Sequence, residues 1–291
     1  FVLYPDGRVS DVQRRQMTTP SEKNVHAIAI NGHFDDCQAR LKDMFNDFEF
    51  RDGVNLAGVN SINWARVLAQ VVYYFSSAIK LGAPNNKISF SVPTGNFGDI
   101  FAGFIAKKMG LPIDRLVIAT NQNDILHRCL SSGVYKTDKV LPSISPSMDI
   151  QVSSNFERAL FYAMDCNGNE VSNLMEQLKS TGQFIISGRV LELLRENFDS
   201  GRVSEDETHS ELLCPHSAIG VLTARKQRKT DIPMVTLATA HPAKFPTAVK
   251  NATSVFPELP SRMADLFDLD ERITKVENNL QSIQALVRER I

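Results

Sequence analysis

Short apolar runs and longer segments of helical spacing alternate along the first half of the chain. In the longer segments, apolar residues recur every three or four positions, and in Asn63–Leu81 they form a stripe wider than one narrow seam. The short runs are rich in β-branched and aromatic residues and predict strands at Phe1–Tyr4, Val25–Ile30, Lys87–Val92 and Arg115–Thr120. Such alternation is typical of a parallel sheet covered by helices, so we expect an α/β fold.

The second half is predicted to be mostly helical, with a strand at Met234–Thr239. The residues from Glu271 onward carry the mixed charges of an exposed amphipathic helix. The run Thr137–Ser147 predicts a loop or linker, and the polar stretch Gly201–Ser210 predicts an exposed turn or a helix start. The other predicted helices are Phe34–Phe45, Phe97–Met109, Asn155–Met164, Val171–Lys179, Ser187–Asn197, His216–Arg225 and Ala243–Ala252.

Composition constrains the class of protein. Hydrophobic residues make up 43% and charged residues 22% of the 291 residues, which is ordinary for a globular protein. The formal net charge is -1, from 32 basic and 33 acidic residues, so charge does not favour binding to nucleic acid or to an anionic membrane. No apolar stretch of the sequence approaches the roughly 20 residues that a membrane helix needs.

The cysteines and the opening residues give two further expectations. The chain opens on the apolar run Phe1–Tyr4 and a turn at Pro5, a pattern typical of a strand within a fold and unlike a signal peptide. We therefore expect an N-terminal part of the fold to be missing from this polypeptide. The cysteines form no CxxC pair and lie away from metal-ligand spacing, which predicts reduced, mostly buried thiols in a cytoplasmic protein without a metal site: Cys37, Cys129, Cys166 and Cys214.

The sharpest local motif is Ser-Val-Pro-Thr-Gly-Asn-Phe-Gly-Asp at residues 91–99, between a predicted strand and a predicted helix. Gly95 and Gly98 allow the backbone to approach a ligand closely. The unpaired N–H groups and the partial positive charge of a helix start suit a phosphate group. The motif is neither a Walker loop nor GxGxxG, and taken alone it is also compatible with a strand–helix turn that binds nothing.

Two other motifs carry polar groups where ligands commonly bind. Thr239 ends a predicted strand just before a His-Pro turn, and ligands of open α/β sheets lie beyond the carboxyl ends of the strands. In the third motif, Asn60 or Ser61 is predicted to cap the next helix, and Arg66, one turn further on, can pair with a phosphate or carboxylate. Each of these motifs alone is also compatible with an ordinary cap or turn.

Taken together and in order, the motifs resemble the threonine synthases of the bacterial and fungal type. Several matching segments spread over nearly the whole chain are far more specific than any single one. Those segments are Tyr4–Ser10, Asn60–Trp64, Gly95–Asp99, Ser147–Ile150, Ser153–Arg158 and Thr239–Phe245.

The resemblance implies a fold and a cofactor. Threonine synthases are pyridoxal-phosphate enzymes with the three-layer, parallel-sheet α/β fold of the tryptophan-synthase-β type. The chain would be the C-terminal major part of that fold, with a subdivision into an α/β region with the phosphate loop at 1–140 and the rest of the large domain with a C-terminal helix at 141–291.

The resemblance also implies the roles of particular residues. Thr239 is expected to face the pyridine nitrogen of the cofactor. A substrate phosphate or carboxylate is expected to be held with the help of Asn60, Ser61 and Arg66. The cofactor phosphate is expected to be held by the backbone of Gly95, Asn96, Phe97, Gly98 and Asp99.

The implied activity is that of a carbon–oxygen lyase acting on phosphate, which converts O-phospho-L-homoserine and water to L-threonine and phosphate. Family members hold the cofactor covalently through a lysine in a Leu-Ala-Phe-Lys-Asp-type segment, which this sequence lacks. Lys244 lies near Thr239 in sequence but belongs to a different family motif. We therefore assign no catalytic lysine in this chain and expect negligible turnover from it alone.

Two alternatives stay open at this point. One is a threonine-synthase-like phospho-lyase, which would eliminate phosphate without adding water and would use the same cofactor motifs. The other is a non-catalytic chain that binds phosphate or a partner protein. Product analysis separates the first from the synthase, and an upstream Phe-Lys-Asp segment would exclude the second.

Overall fold

The structure is a computed structural model that describes residues 1–204, 207 and 212–291, without the side chains of Phe34 and Asp35. The chain forms two compact units. The first comprises Phe1–Gly58, Ala243–Pro246 and Phe256–Ile291, and the second comprises Val59–Pro242 and Thr247–Val255.

The described elements alternate along the chain much as the hydrophobic pattern predicts. The strands are β1 Val2–Pro5, β2 Ala27–Ile30, β3 Ile88–Pro93, β4 Ile113–Thr120, β5 Val134–Lys136, β6 Gln183–Ile185, β7 Phe198–Arg202, β8 Met234–Thr236 and β9 Ile273–Val276. The α-helices are α1 Asp11–Thr18, α2 Phe34–Asn46, α3 Phe48–Gly53, α4 Trp64–Lys80, α5 Gly98–Lys108, α6 Ile125–Ser132, α7 Phe156–Ala163, α8 Gly168–Thr181, α9 Gly188–Asn197, α10 Pro215–Gln227, α11 Pro246–Thr253 and α12 Leu280–Arg290. Short 3-10 turns lie at Pro146–Met148, Pro242–Lys244 and Ser261–Met263.

The second unit is built on a parallel sheet with the strand order β7-β4-β3-β8. All six residues of β3 are buried, as expected for a strand covered on both faces. A separate antiparallel pair is formed by β5 and β6. The parallel α/β architecture predicted from the sequence is confirmed.

Successive residues of β3 show that helices cover both faces of this sheet. The ring of Phe90 lies 4.8 Å from that of Tyr74 in α4, whereas the hydroxyl of Ser91 donates to the Gly220 carbonyl of α10 at 2.7 Å. Because neighbouring strand residues point to opposite faces, α4 and α10 lie on opposite sides of the sheet. The second unit is thus a three-layer structure, with its largest apolar cluster on the α4 and α5 side.

The first unit contains a smaller parallel sheet of order β1-β2-β9. Its buried apolar side chains come from β2, α2, α3 and α12, including Ile28, Ile30 and Phe50. The Asp47 carboxylate connects α3 and α12 through two hydrogen bonds. It caps α3 by accepting from the Phe50 N–H at 3.0 Å, and it accepts from Gln284 Nε2 of α12 at 2.8 Å.

Several elements differ from the sequence-based prediction. The segment after Glu271 is not one helix, because Ile273–Val276 pairs with β2 as a strand before α12 begins. In the polar stretch Gly201–Ser210, Gly201 and Arg202 end β7, while 205, 206 and 208–210 lie outside the described residues. The sequence-based prediction also omits the strands β5, β6 and β7, of three to five residues each, and the helices α1, α3 and α6, of six to eight residues each.

The run Thr137–Ser147 is a loop, as predicted, and it lies inside the second unit. Asn121, which directly follows β4, donates to Ser143, Ser145 and Asp149, each at 2.9 Å. Strands on either side of residue 140 share one sheet, since β4 pairs with β7. The predicted subdivision into residues 1–140 and 141–291 therefore does not coincide with the two compact units. As a statement about domains, that subdivision stays a prediction. No helix in the described ranges is long and apolar enough to cross a bilayer.

Gly103 sets how closely α5 approaches α4 and the sheet. A Cβ atom there would lie 2.6 Å from Tyr74 Cε1 and 2.8 Å from Leu116 Cδ2. We expect Gly103→Ala to destabilise the protein by about 1–3 kcal/mol through overpacking, although alanine is the better helix former. Urea unfolding measures this change.

Gly188→Ala in α9 is the matched control, because a Cβ there meets nothing within 4 Å. That substitution should leave stability unchanged or raise it by up to about 1 kcal/mol. Equal midpoints for the two variants would contradict the packing argument.

Candidate active site

The motif at residues 91–99 forms a strand–turn–helix connection, as predicted. Strand β3 ends at Pro93, Phe97 is the N-cap residue, and α5 begins at Gly98. The Thr94 N–H donates to the Ala119 carbonyl at 2.9 Å, so the turn stays attached to β4 as it leaves the sheet. The connection lies at the carboxyl end of the parallel strands, where open α/β sheets bind ligands.

The carbonyl groups of this turn are held by the segment before α7. Ser153 Oγ donates to the Gly95 carbonyl at 2.7 Å, and the Asn155 side chain and main chain donate to the Asn96 carbonyl at 2.8 and 3.0 Å. In a trans peptide the N–H points opposite to the carbonyl. The N–H groups of Asn96 and Phe97 therefore point away from this segment.

These hydrogen bonds leave a row of main-chain donors available. Within the described part of the chain, no acceptor pairs with the N–H groups of Gly95, Asn96, Phe97, Gly98 and Asp99. The last two belong to the first turn of α5, where N–H groups have no intrahelical partner and the helix dipole is positive. Such an arrangement suits an anion.

The two glycines of the motif are sites of close approach. A Cβ atom on Gly95 would overlap the Ser147 carbonyl oxygen, and one on Gly98 would lie 2.8 Å from Ser61 Cβ. Neither position has room for a side chain. The sequence indicated close approach to a ligand, and the structure adds close approach to the protein itself.

Phe97 has a left-handed backbone conformation, with φ 63° and ψ 0°. This conformation costs a residue with a Cβ atom about 1–2 kcal/mol. Its buried ring packs edge-on against Phe156 of α7 at 5.3 Å and Phe198 of β7 at 5.2 Å. The aromatic packing holds the turn in a conformation that the backbone alone disfavours.

The motif at residues 60–66 lies beside the start of α5. Ser61 is the neighbour of Gly98, and Arg66 is close enough to Asp99 for its charge to lower the pKa of that carboxyl. Arg66 is exposed, with Nη1 3.4 Å from the Val59 carbonyl oxygen. The structure therefore brings Ser61 and Arg66 close to the glycine motif, while their role in substrate binding stays a prediction.

The predicted helix cap in this motif is wrong. Neither Asn60 nor Ser61 caps α4; the N-cap residue is Asn63, whose Oδ1 accepts from the Ala65 N–H at 2.9 Å. The Asn60 side chain instead accepts from the Ile62 N–H at 3.0 Å and forms a turn before the helix.

Asp99 is part of a buried network that the sequence did not reveal. Tyr73 donates to Asp99 Oδ1, and Tyr74 donates to the Asp99 carbonyl at 2.9 Å and to Oδ1 at 3.3 Å. Burial raises the pKa of Asp99, while hydrogen bonds from both tyrosines and the charge of Arg66 lower it, with a net rise to about 6. The hydrophobic pattern of the predicted helix assigned no role to Tyr73 or Tyr74, so it gave no indication of this network.

Thr239 follows β8 and lies at the same edge of the sheet. The Thr239 N–H donates to Ser217 Oγ at 3.0 Å, and its hydroxyl lies 3.3 Å from Ser217 Oγ and 3.2 Å from Cys214 Sγ. Thr239 itself is exposed, whereas Cys214 and Ser217 are buried at the start of α10. The hydroxyl therefore contacts two buried side chains, although Thr239 itself is exposed at this edge of the sheet.

Two steps connect the Gly95 turn to the residues around Thr239. The carbonyl of Ser147 lies against Gly95, and the N–H of Ser147 donates to His216 Nε2 at 3.2 Å. His216 stands between Cys214 and Ser217 in the first turn of α10. The glycine turn and Thr239 are thus parts of one continuous arrangement.

Cys214 has an unusual environment for a buried cysteine. Burial raises the pKa of its thiol, but hydrogen bonds from the side chains of His216, Ser217 and Thr239 and from the Ser217 N–H outweigh this effect and lower it to about 6. Cys129, also buried, has its pKa raised by burial to about 12. The sequence contained one sign of this site, a residue before a proline at a helix start, which is the N-cap position.

The cysteines are free, with Cys37, Cys129 and Cys214 buried and Cys166 exposed, which confirms the prediction of mostly buried thiols. Among the described residues, no group of three or more His, Cys, Asp or Glu side chains is arranged to hold a metal ion.

The raised pKa of Asp99 predicts a pH-dependent stability effect. Between pH 3.8 and about 6 the folded chain holds a proton that the unfolded chain releases, so this carboxyl destabilises the fold as pH rises through that window. Asp99→Asn removes the effect and keeps an acceptor for the tyrosines. We expect the variant to gain about 1–3 kcal/mol over the parent chain above pH 6 and little near pH 4, measured by urea unfolding.

Asp231→Asn, the same substitution at an exposed turn, is the control against which the pH-dependent gain is measured. A constant difference between Asp99→Asn and the parent chain across this range would contradict the assignment.

Known proteins similar to this chain are threonine synthases. A family model described as threonine synthase, C-terminal, matches residues 217–287. The threonine synthase of Pseudomonas aeruginosa is 51% identical over 99% of the chain, and that of Saccharomyces cerevisiae is 43% identical over 95% of it. The chain covers 64% and 61% of these two relatives, so it spans less than two thirds of their length.

Solved structures agree with these relatives. The crystal structure of pyridoxal-phosphate-bound threonine synthase from Brucella melitensis matches all of the chain with a TM-score of 0.94 and 54% identity, and the chain covers 65% of it. The yeast threonine synthase structure matches all of the chain with a TM-score of 0.88 and 41% identity, and 64% of it is covered. Similarity of sequence and of fold along the whole chain, with the glycine turn and Thr239 at one edge of the sheet, leads to one assignment: this chain belongs to the threonine synthase family.

Proposed function

We propose that the chain carries the cofactor-binding and substrate-binding part of a threonine synthase, the enzyme that converts O-phospho-L-homoserine and water to L-threonine and phosphate. The cofactor of this activity is pyridoxal phosphate, as in the related structure from Brucella melitensis. The observation that carries the proposal is the row of main-chain donors at Gly95–Asp99, which has no acceptor among the described residues.

The strand–turn–helix connection fits the phosphate group of this cofactor. The donors lie at the N-terminus of α5, where the helix dipole favours negative charge. Gly95 and Gly98 keep side chains out of the turn, and Phe97 holds it in the required conformation. The chain thus supplies preformed donors that need no rearrangement when an anion binds.

Thr239 fits a contact with the pyridine nitrogen. The residue is exposed, and both its N–H and its hydroxyl lie within hydrogen-bond distance of Ser217 Oγ, so the hydroxyl oxygen has a defined position. A neutral hydroxyl does not stabilise a protonated ring as a carboxylate does, so this residue tunes the cofactor less strongly than an acidic partner would.

Arg66 and its neighbours fit the anionic groups of the substrate. The exposed guanidinium group can fork onto a phosphate or carboxylate, and Ser61 adds a hydroxyl next to the start of α5. Asn60 orders the turn that leads to Ser61 through its bond to the Ile62 N–H. We assign all three to substrate binding.

When bound, pyridoxal phosphate supplies the electron sink that stabilises carbanions at the substrate carbons. The residues of this chain anchor the phosphate, orient the ring through Thr239 and hold the substrate anion near Arg66. Lys244, the lysine nearest to Thr239 in sequence, lies in the first compact unit, with its carbonyl accepting from Ser10 Oγ at 2.9 Å. We assign Lys244 no covalent role in cofactor binding. A cytoplasmic location of the protein stays a prediction.

Pyridoxal phosphate binding to the 291-residue chain tests the proposal. Gly95→Ala would push a Cβ atom into the Ser147 carbonyl and should weaken binding more than about tenfold, equivalent to about 1.4 kcal/mol. Fluorescence titration measures the dissociation constant, and inorganic phosphate should compete.

Gly188→Ala serves as the control and should bind like the parent chain. If Gly95→Ala unfolds, as judged by circular dichroism, Gly98→Ala replaces it, because its Cβ would meet the side chains of Ser61 and Asn155 and no main-chain atom within 3.5 Å. Unchanged affinity in a folded glycine variant, or no binding by the parent chain, would refute the proposal.

Arg66→Ala tests the substrate assignment separately. Loss of one bidentate charge-assisted contact should weaken binding of a phosphorylated homoserine analogue by about tenfold or more and leave pyridoxal phosphate affinity unchanged. Arg225→Ala, on α10, is the control. For the enzyme that contains this chain, threonine as product supports the synthase, and a keto acid in its place favours the phospho-lyase.

A further inference from the structure

A triangle of three hydrogen-bonding side chains lies behind the exposed face of Thr239. Cys214 Sγ is 3.1 Å from Ser217 Oγ and 3.2 Å from Thr239 Oγ1, and the two hydroxyl oxygens are 3.3 Å apart. Cys214 and Ser217 are buried, so Thr239 is the member of the triangle that a ligand can reach.

Each side chain of the triangle has one proton to donate, and main-chain groups already fix part of the pattern. The Thr239 N–H donates to Ser217 Oγ at 3.0 Å, and the Ser217 N–H donates to Cys214 Sγ at 3.4 Å. The remaining freedom is the direction of the hydroxyl and thiol protons. That direction decides whether Thr239 presents a donor or a lone pair to its open side.

A thiolate at Cys214 removes this freedom. An anionic sulfur accepts only, so the hydroxyls of Ser217 and Thr239 both donate to it, and the Thr239 oxygen presents lone pairs outward. A neutral thiol instead donates one proton into the triangle, which releases the Thr239 proton toward the open side.

The surroundings of Sγ favour the anion at neutral pH. Sγ faces the side chains of His216 and Ser217 on α10 and of Thr239 in the segment after β8, and the start of α10 adds a positive dipole. His216 is the titratable group among these. Its Nε2 accepts from the Ser147 N–H, which places the ring proton of the neutral imidazole on Nδ1.

We propose that Cys214 and Ser217 are positioning residues that turn the Thr239 hydroxyl into an acceptor, so that a pyridine nitrogen facing Thr239 is held in its protonated form. This inference rests on the proposed function, because it needs the cofactor ring at Thr239. The neutral Thr239 itself carries no negative charge. The buried sulfur anion of Cys214 then supplies that charge to the pyridine nitrogen through the Thr239 hydroxyl that lies between them.

Cys214→Ser is the variant that separates charge from structure. Serine keeps a hydrogen-bonding group in the triangle and is a preferred N-cap residue, so α10 should retain its start. It is not ionised at neutral pH, so the anion is lost. Cys166→Ser, the same substitution at an exposed position, is the matched control.

Two readouts are taken on the 291-residue chain. Ultraviolet titration without cofactor should show a thiolate signal in the parent chain and in Cys166→Ser that is missing in Cys214→Ser. Nitrogen NMR of ring-labelled pyridoxal phosphate should show protonation of the bound ring weakened roughly tenfold in Cys214→Ser, as expected from loss of one charge within several ångströms. Ser217→Ala should shift it in the same direction, and the cofactor dissociation constant should change little.

The outcomes are distinguishable. If the parent chain binds pyridoxal phosphate and the ring signal is the same in Cys214→Ser as in Cys166→Ser, the positioning role is overturned while the proposed function stands. An absent thiolate signal in the parent chain also overturns it. If the parent chain does not bind the cofactor at all, the proposed function fails and this inference fails with it.

Discussion

The candidate site depends on how the carbonyl groups of one turn are satisfied. Ser153 and Asn155 donate hydrogen bonds to the carbonyls of Gly95 and Asn96. Because each peptide is planar and trans, the N–H groups of Asn96 and Phe97 must point in the opposite direction. A segment more than fifty residues downstream in sequence therefore decides which way the donors point. Without it, the turn could satisfy its carbonyls with water and would present no defined set of donors.

Close packing supplies the second requirement, a fixed position for α5 and α10. Gly103 lets α5 lie against Tyr74 and Leu116, and Gly220 lets α10 lie against Pro93 and Thr236. The two helices begin at the same edge of the sheet and bring their N-termini to the glycine turn and to Thr239. The main-chain donors and the Cys214 triangle are thus consequences of how helices pack on the two faces of one parallel sheet.

Much of this arrangement could be predicted from the sequence, for identifiable reasons. Helix α4 has a long apolar stripe, β3 is a short β-rich run, and the glycine turn between β3 and α5 has a strong local signature. The strand β9 was mistaken for helix because four residues do not establish a period against the charged residues around them. The Asp99 network and the Cys214 triangle could not be predicted, since each joins residues that only tertiary packing brings together. The N-cap was misplaced because Asn60, Ser61 and Asn63 are all good capping residues, and only the geometry selects the last.

The left-handed conformation of Phe97 has a consequence for biosynthesis. Its ring is held by Phe156 and Phe198, which the ribosome adds long after the glycine turn, and Thr239 comes later still. The packing that holds the turn is therefore incomplete until β7 has been added, and the row of main-chain donors at Gly95–Asp99 takes its fixed position only with the completed sheet. The site is a product of the finished fold and cannot act as a template on which the fold is built.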